Sequence, residues 1–429
     1  MNKTKKILAA VIILMLCVSM AACGNGDKKP DPGEEELRQM TYESVYKEGV
    51  SLDSVLWQEP EYYYHSEMDK TADGIKALYI KVRYMDYETY AFAYLGIPDS
   101  ATETDKVPGV LLLHGGAGTA YYDWVKLWKN KGYAALAVDL EGRIPQENGT
   151  MDKGPSELYQ KSQYTAPHNQ NHSDSSLPIE ETWMYYAVQT AIISNSFLHS
   201  LDVVDEYKIG VCGVSWGGVL TSIVTGYDDR FAFSIPIYCS LNLADSFGLP
   251  MATRYNNYPA ARVWDDPNGL YAVNTPICVI ASNVDRFGAL DSMSATYEGC
   301  KNAVMVTKKG MLHAQGIAAG VYEAYNFADS IVKDRAAFPK VTQEPDKNGT
   351  TVKVKLETGV TITEAYLVYT QDSSLVDATW SQRRANVLLG DVSYTIPEGT
   401  TAFYIAMDDN KGNTVSTKTV LYISAQDAN

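Results

Sequence analysis

The sequence predicts an α/β fold, a mostly parallel sheet with helices on both faces, followed by a small all-β sandwich. Three observations predict it. First, continuous apolar runs of strand length alternate with segments of helical spacing. The runs are "GVLLLH" (109–114), "YAALAVD" (133–139), "KIGVCG" (208–213), "FAFSIPIY" (231–238), "PICVIAS" (276–282) and "AVMVTK" (303–308). A strand that is apolar along its whole length is covered on both faces, which is the parallel arrangement. Second, the text changes after "AAFPKVTQEPDKNG" (336–349) to short alternating runs such as "TVKVKLE", "EAYLVYT" and "TAFYIAM". These are broken by the turn signals "PEGT" and "DDNKGN", with no helical period, as in an immunoglobulin-like sandwich. Third, 429 residues with 45% hydrophobic content are enough for two folded units, with cores of their own.

The N-terminus stands apart from both. Met1–Lys6 carries three lysines, and Ile7–Val18 is apolar but short for a membrane span. "SMAAC" then places small residues before Cys23. This is the layout of a secretory signal peptide, residues 1–22. The small residues before a cysteine resemble a lipobox, which implies cleavage before Cys23 and lipidation of its thiol. "GNGDKKPDPGEEE" has no large apolar residue and reads as a flexible tether over residues 23–37. A lipid, a tether and a soluble body predict an extracytoplasmic protein anchored to a bacterial membrane by its lipid alone.

The catalytic unit is expected over residues 38–337 and the sandwich over 342–429. Residues 55–98 alternate Tyr and β-branched residues, predicting antiparallel strands ahead of the parallel ones. "YDWVKLWKNKG" spaces Trp124, Leu127 and Trp128 along one helix face. Residues 143–180 are polar and without period, a long surface insertion. "TWMYYAVQTAIISNSFLHSL" is a long apolar helix, and further helices start near Gly217, near Asp291 and at Gly316, the last running to Val332. The net charge of −16 argues against nucleic acid and against a polybasic membrane contact. No CxxC spacing supports a zinc or redox site. Cys212 and Cys278 fall in apolar runs, while Cys239 and Cys300 are either paired or free.

One stretch carries chemistry. "KIGVCGVSWGG" (208–218) ends a buried strand in Gly213-Val214-Ser215-Trp216-Gly217 and opens a helix. The strand–turn–helix setting of G-x-S-x-G displays a nucleophilic serine on a strained turn, with the helix N-terminus favouring developing negative charge. A serine hydroxyl needs a base. His65, His114, His168, His172 and His199 fall on other elements, whereas His313 follows the last parallel strand in "KKGMLHAQG". Asp285, in "ASNVDRFGALD" directly after a strand, is the orienting acid; Asp291 is the runner-up and better suited to capping the next helix, with Asp245 weaker. Asp139 reads as a loop organiser. The order Ser215, Asp285, His313 is that of α/β-hydrolases. Oxyanion donors are expected from the N–H of Trp216 and from Gly116 or Ala117 in "HGGAG" (114–118), with His114 shaping that loop.

"VLLLHGGAGTAYYDWVKLWKNKGYAALAVDLEGR", "VDEYKIGVCGVSWGG", "VWDDP" and the Asp285 and His313 loops resemble secreted α/β-hydrolases of the acetyl xylan esterase and dienelactone hydrolase group, over roughly residues 75–335. The resemblance implies a cofactor-free and metal-free serine esterase, acting on acetyl or other acyl esters of polysaccharide or oligosaccharide. The chain reads "LEGR" and "GVSWGG" where the deacetylases of the group usually read "RGQ" and "GxSQG". The serine loop is also similar to that of prolyl oligopeptidase relatives, so a peptidase is the second expectation, with Glu141 as a candidate for a terminal amine. A binding protein without turnover is the third. Trp264 is read either as a wall of the acyl pocket or as core, and Trp380 either as a sugar platform or as sandwich core.

Overall fold

A computed structural model of the chain describes residues 50–85, 87–145, 153–155, 169, 171–375 and 377–422. The signal segment 1–22, Cys23, the tether 23–37 and His168 lie outside the described residues. All described residues belong to one compact unit. No helix among them is long and apolar enough to cross a membrane.

The chain begins with β1 (Tyr62–Tyr64), β2 (Ile75–Tyr84) and β3 (Tyr87–Gly96), then β4 (Val107–Leu113), α1 (Tyr122–Asn130) and β5 (Ala134–Val138). A small hairpin, β6 (Arg143–Pro145) with β7 (Lys153–Pro155), precedes α2 (Trp183–His199). Then follow β8 (Val204–Val214), α3 (Trp216–Tyr227), β9 (Phe233–Ile237), α4 (Leu249–Asn257), α5 (Asn268–Ala272), β10 (Ile277–Ser282), α6 (Leu290–Gly299), β11 (Ala303–Lys308), α7 (Gln315–Ala319) and α8 (Tyr322–Val332). The C-terminal strands are β12 (Lys340–Gln343), β13 (Thr351–Lys355), β14 (Ile362–Thr370), β15 (Ser381–Arg384), β16 (Asn386–Leu388), β17 (Asp391–Ser393), β18 (Ala402–Asp409), β19 (Thr414–Ser416) and β20 (Val420–Leu421).

The N-terminal strands β1, β2 and β3 pair antiparallel, and β3 pairs antiparallel with β5. From β5 onward the order is β5-β4-β8-β9-β10-β11, every pair parallel. The central strands β5, β9 and β10 are buried at every position, as continuous apolar runs require. Their parallel register brings the carboxyl ends of β4, β5, β8, β9 and β10 to one edge, so the loops that follow them are neighbours.

The helices hold this sheet by burial. Sixteen residues of α2 are buried, which suits a helix apolar on all sides. Its Thr182 N-cap accepts the Tyr185 N–H, and Ser196 Oγ donates to the Leu56 carbonyl, tying down the segment before β1. In α1 the buried face is Trp124, Val125 and Trp128, while Leu127 is 41% exposed. The expected Leu127 contact is corrected by geometry: at 100° per residue it lies about 105° from the centre of that stripe. The single helix expected over 316–332 is two, because Gly320 closes α7 and Val321 is extended before α8 starts.

The C-terminal strands form two sheets. One is β12-β13-β17-β16; the other is β19-β18-β14-β15, with β20 also on β18. Val352 and Val392 of the first and Leu367 and Ile405 of the second are buried. The second sheet does not stand alone. Strand β19 pairs antiparallel with β11 through Met305 and Ser416, making one continuous sheet of 14 strands. The Thr307 N–H donates to Ser416 Oγ at 2.9 Å across that junction. Trp380 packs, partly buried, against a cluster of Phe247, Ala289, Leu375 and Ala402. Cys212, Cys239, Cys278 and Cys300 are all buried and free, so the pairing left open for Cys239 and Cys300 is not formed.

Candidate active site

Ser215 sits between β8 and α3 with φ +58° and ψ −119°, a conformation that costs energy in a residue with a Cβ. The turn is held from both sides. Its N–H donates to the Ile237 carbonyl at 2.9 Å, and its own carbonyl accepts the Gly218 and Val219 N–H groups. The surrounding glycines are there for close approach. A Cβ on Gly213 would stand 2.0 Å from the Gly217 carbonyl oxygen, and a Cβ on Gly217 2.0 Å from that of Leu113. No side chain fits either position.

His313 Nδ1 and Asp285 Oδ2 are 2.6 Å apart. An ionised carboxylate only accepts, so Nδ1 carries the proton and Nε2 keeps the lone pair. The other oxygen of Asp285 accepts the Phe287 and Gly288 N–H groups at 2.7 and 3.1 Å. The acid side chain is fully buried, while the imidazole keeps some exposure. His313 is stacked on the Tyr238 ring at 4.4 Å and touches Phe287 at 4.8 Å. Tyr238, with φ +71°, donates its hydroxyl to the Leu312 carbonyl at 2.6 Å and so fixes the loop that carries His313. Burial pushes the Tyr238 hydroxyl up to about 12, which keeps it a donor.

Ser215 and His313 line one cleft of about 350 Å³ with Gly116, Trp216, Arg254 and Phe287. They make no direct hydrogen bond to each other; such bonds commonly tighten only when substrate is bound. The buried Cys239 thiol interacts with the Ser215 side chain, and burial pushes its pKa well up, so it remains a neutral thiol.

The two candidate amides of the glycine loop are not equivalent. The Ala117 N–H donates to Glu141 Oε1 at 2.7 Å, whereas the Gly116 N–H donates to none of the described residues. The Trp216 N–H is at the first position of α3, where no intrahelical acceptor exists. His114 is buried. Its Nδ1 bonds the Gly115 carbonyl at 2.7 Å, and its Nε2 accepts the Leu140 N–H at 2.9 Å. Asp139 accepts the Glu141 and Arg143 N–H groups, as a loop organiser does.

The remaining candidates lie elsewhere. Trp264 is buried at the end of a short 3-10 helix and is not among the residues lining the cleft. Asp291 does not cap α6, whose N-cap is Ala289; it accepts the Phe247 N–H at 2.8 Å instead. Burial pushes its carboxyl up to about 6. Asp245 is exposed and faces Arg262 at 3.1 Å. Glu141 is buried rather than solvated. Sequence reading missed Tyr238, Phe287 and Arg254. Tyr238 had one signal, its place directly after the run "FSIPI" at a strand's carboxyl end. Arg254 lies on α4, which has no motif. Among the described residues no group of His, Cys, Asp and Glu could hold a metal ion.

At the level of sequence, no protein-family model and no curated protein matches the chain. Solved structures do resemble it. An acetyl xylan esterase from Paenibacillus sp. R4 is 16% identical, with a TM-score of 0.49, over 71% of this chain and 96% of that one. Acetyl xylan esterase 1 from Thermoanaerobacterium sp. JW/SL YS485 is 14% identical, with a TM-score of 0.46, over 71% of this chain and 94% of that one. A glucuronoyl esterase from Solibacter usitatus is 14% identical, with a TM-score of 0.47, over 71% of this chain and 95% of that one. With its parallel sheet, antiparallel leading strands and serine elbow after β8, the chain has an α/β-hydrolase fold that continues into a C-terminal β domain.

Proposed function

We propose that the protein is a serine hydrolase that cleaves acyl esters, with Ser215 as nucleophile, His313 as base and Asp285 as its orienting acid. The observation that carries this reading is a strained serine opening into the same cleft as an imidazole locked to a buried carboxylate at 2.6 Å. His313 Nε2 takes the hydroxyl proton as Ser215 Oγ attacks the ester carbonyl. The tetrahedral oxyanion accepts from the Trp216 and Gly116 N–H groups, which have no competing acceptor. His313 then gives its proton to the departing alcohol, and water releases the acyl enzyme by the reverse route. Asp285 holds the imidazole and stabilises its charged form.

Acetyl and other short acyl esters on polysaccharide or oligosaccharide are the substrate class we favour, supported by the cleft's modest volume and by the sequence resemblance. The N-terminal layout supports lipid attachment at Cys23 and an extracytoplasmic location. The test is hydrolysis of p-nitrophenyl acetate, butyrate and octanoate, acetylated xylan and an aminoacyl p-nitroanilide. Ser215→Ala should lose more than about a thousandfold in kcat, with folding intact. A loss under tenfold would sink the mechanism. Anilide cleavage with weak ester turnover would keep the nucleophile and make the protein a peptidase.

A further inference from the structure

Arg254 lines the cleft beside Ser215 and makes no ion pair with any described residue. It lies on α4, half-buried. A guanidinium has five N–H donors. Here Nη1 donates to Met251 Sδ at 3.0 Å, a weak acceptor, and the group lies 5.9 Å from the Trp216 ring centroid. Among the described residues no carboxylate pairs with it. Arg230, Arg262 and Arg286, by contrast, each pair with an aspartate. Acids are abundant in this chain, with 52 Asp and Glu against 36 Lys and Arg, so the lack of a partner is specific to the place.

The described neighbours supply no negative charge to balance it. Burial pushes the pKa of Arg254 down, against smaller opposite effects of Cys239 and Tyr255, both neutral at working pH. His172 stands close enough that Arg254 adds to the burial that keeps it neutral. Glu141 also lines the cleft, but its Oε1 accepts the Ala117 N–H and it forms no ion pair with Arg254. A half-buried cation without a partner is unfavourable, and a planar guanidinium matches a carboxylate in two parallel hydrogen bonds.

We propose that Arg254 anchors an anion subsite beside Ser215 that takes a carboxylate carried by the ester substrate. This rests on the hydrolase reading above. The carboxylate sits either on the acyl group or on the alcohol, as on an acidic sugar; the chemistry of recognition is the same.

The experiment compares kcat/KM for matched pairs in the wild-type protein, Arg254→Gln and Arg254→Lys. Mono-4-nitrophenyl succinate against 4-nitrophenyl butyrate places the acid on the acyl side. Acetylated glucuronic acid against acetylated glucose places it on the alcohol side. The wild-type protein should prefer the charged member of one pair at least tenfold, and the pair tells which side. That ratio should fall to near one in Arg254→Gln and be partly kept in Arg254→Lys, with melting temperatures confirming that both variants fold. Equal rates for both members of each pair, unchanged by Arg254→Gln, would overturn the subsite. Calorimetric titration with succinate gives an answer independent of turnover. Binding weakened at least tenfold in Arg254→Gln supports the subsite, and no binding to the wild-type protein overturns it. A fluorophosphonate that fails to label Ser215 would instead remove the hydrolase reading, and the titration would still decide the subsite.

Discussion

Ser215 holds a backbone conformation that few non-glycine residues adopt, and its neighbours over-determine it. The two histidines that follow strands show how position decides role. His114 spends both ring nitrogens on the backbone, while His313 spends one on Asp285 and keeps the other. Asp285→Asn should therefore lower kcat by several orders of magnitude while KM changes little, because the imidazole loses its tautomer and its counter-charge. Steady-state kinetics on p-nitrophenyl acetate checks this. His172 gives a second prediction. Burial, and then the charge of Arg254, push its pKa down to about 4 from 6.5. Between those values the unfolded chain takes up a proton that the folded chain refuses. Stability is thus fully present above about pH 6.5 and is lost as pH falls towards 4, by up to roughly 3 kcal/mol. Urea midpoints across this range should fall less steeply in His172→Gln than in the wild-type protein.

At the scale of elements, the site depends on how closely α3 crosses β4. A methyl group on Gly217 has no rotamer that escapes the Leu113 carbonyl, because the clash is with backbone. Gly217→Ala should cost more than about 2 kcal/mol and lower the melting temperature, or fail to fold. Wild-type stability in this variant would mean that α3 can slide on the sheet. The acid loop meets a similar limit. A Cβ on Gly288 would lie 1.8 Å from the Tyr238 carbonyl oxygen, so the Asp285 loop closes onto the end of β9 only with glycine there. The parallel strands, the helices α1, α2, α3 and α6 and the serine turn were legible in the sequence because each is local, whereas the short helices α4 and α5 and the β6–β7 hairpin carry no such pattern. Apolar runs, helical spacing and the glycines around Ser215 announce themselves within a dozen residues. The boundary between α7 and α8 was not, because both halves share one apolar period and differ only in a single turn at Gly320.

At the scale of the whole molecule, one sheet runs unbroken from the N-terminal strands into the C-terminal ones. The C-terminal strands extend the sheet past β11, and Leu375 and Trp380 pack against Phe247 and Ala289 beside the acid loop. Arg286, next to Asp285, makes two hydrogen bonds to Asp377 at 2.6 and 2.9 Å. That pair is exposed, so its worth lies in registering the two regions rather than in stability. Residues 50–422 should unfold in one calorimetric transition, with the calorimetric and van't Hoff enthalpies equal. Deleting residues 340–429 should uncover the buried edge at Met305 and Thr307 and lower solubility and activity together. Two separate transitions, or a truncated protein with full activity, would show the C-terminal region to be an appendage.

The sequence by itself determined the order of the parallel strands and of the longer helices between them, the serine turn, and the succession Ser215, Asp285, His313. These are properties of short segments, and a short segment's conformation follows from its apolar period and its glycines. Tertiary structure alone decided which groups meet. It joined β19 to β11, removed Ala117 from the free amides by giving its N–H to Glu141, and put Tyr238 against His313. It also left Arg254 facing Ser215's cleft without an ion pair to any described residue. Such contacts link residues tens to more than a hundred positions apart. They arise from the packing of whole layers, which no local pattern encodes.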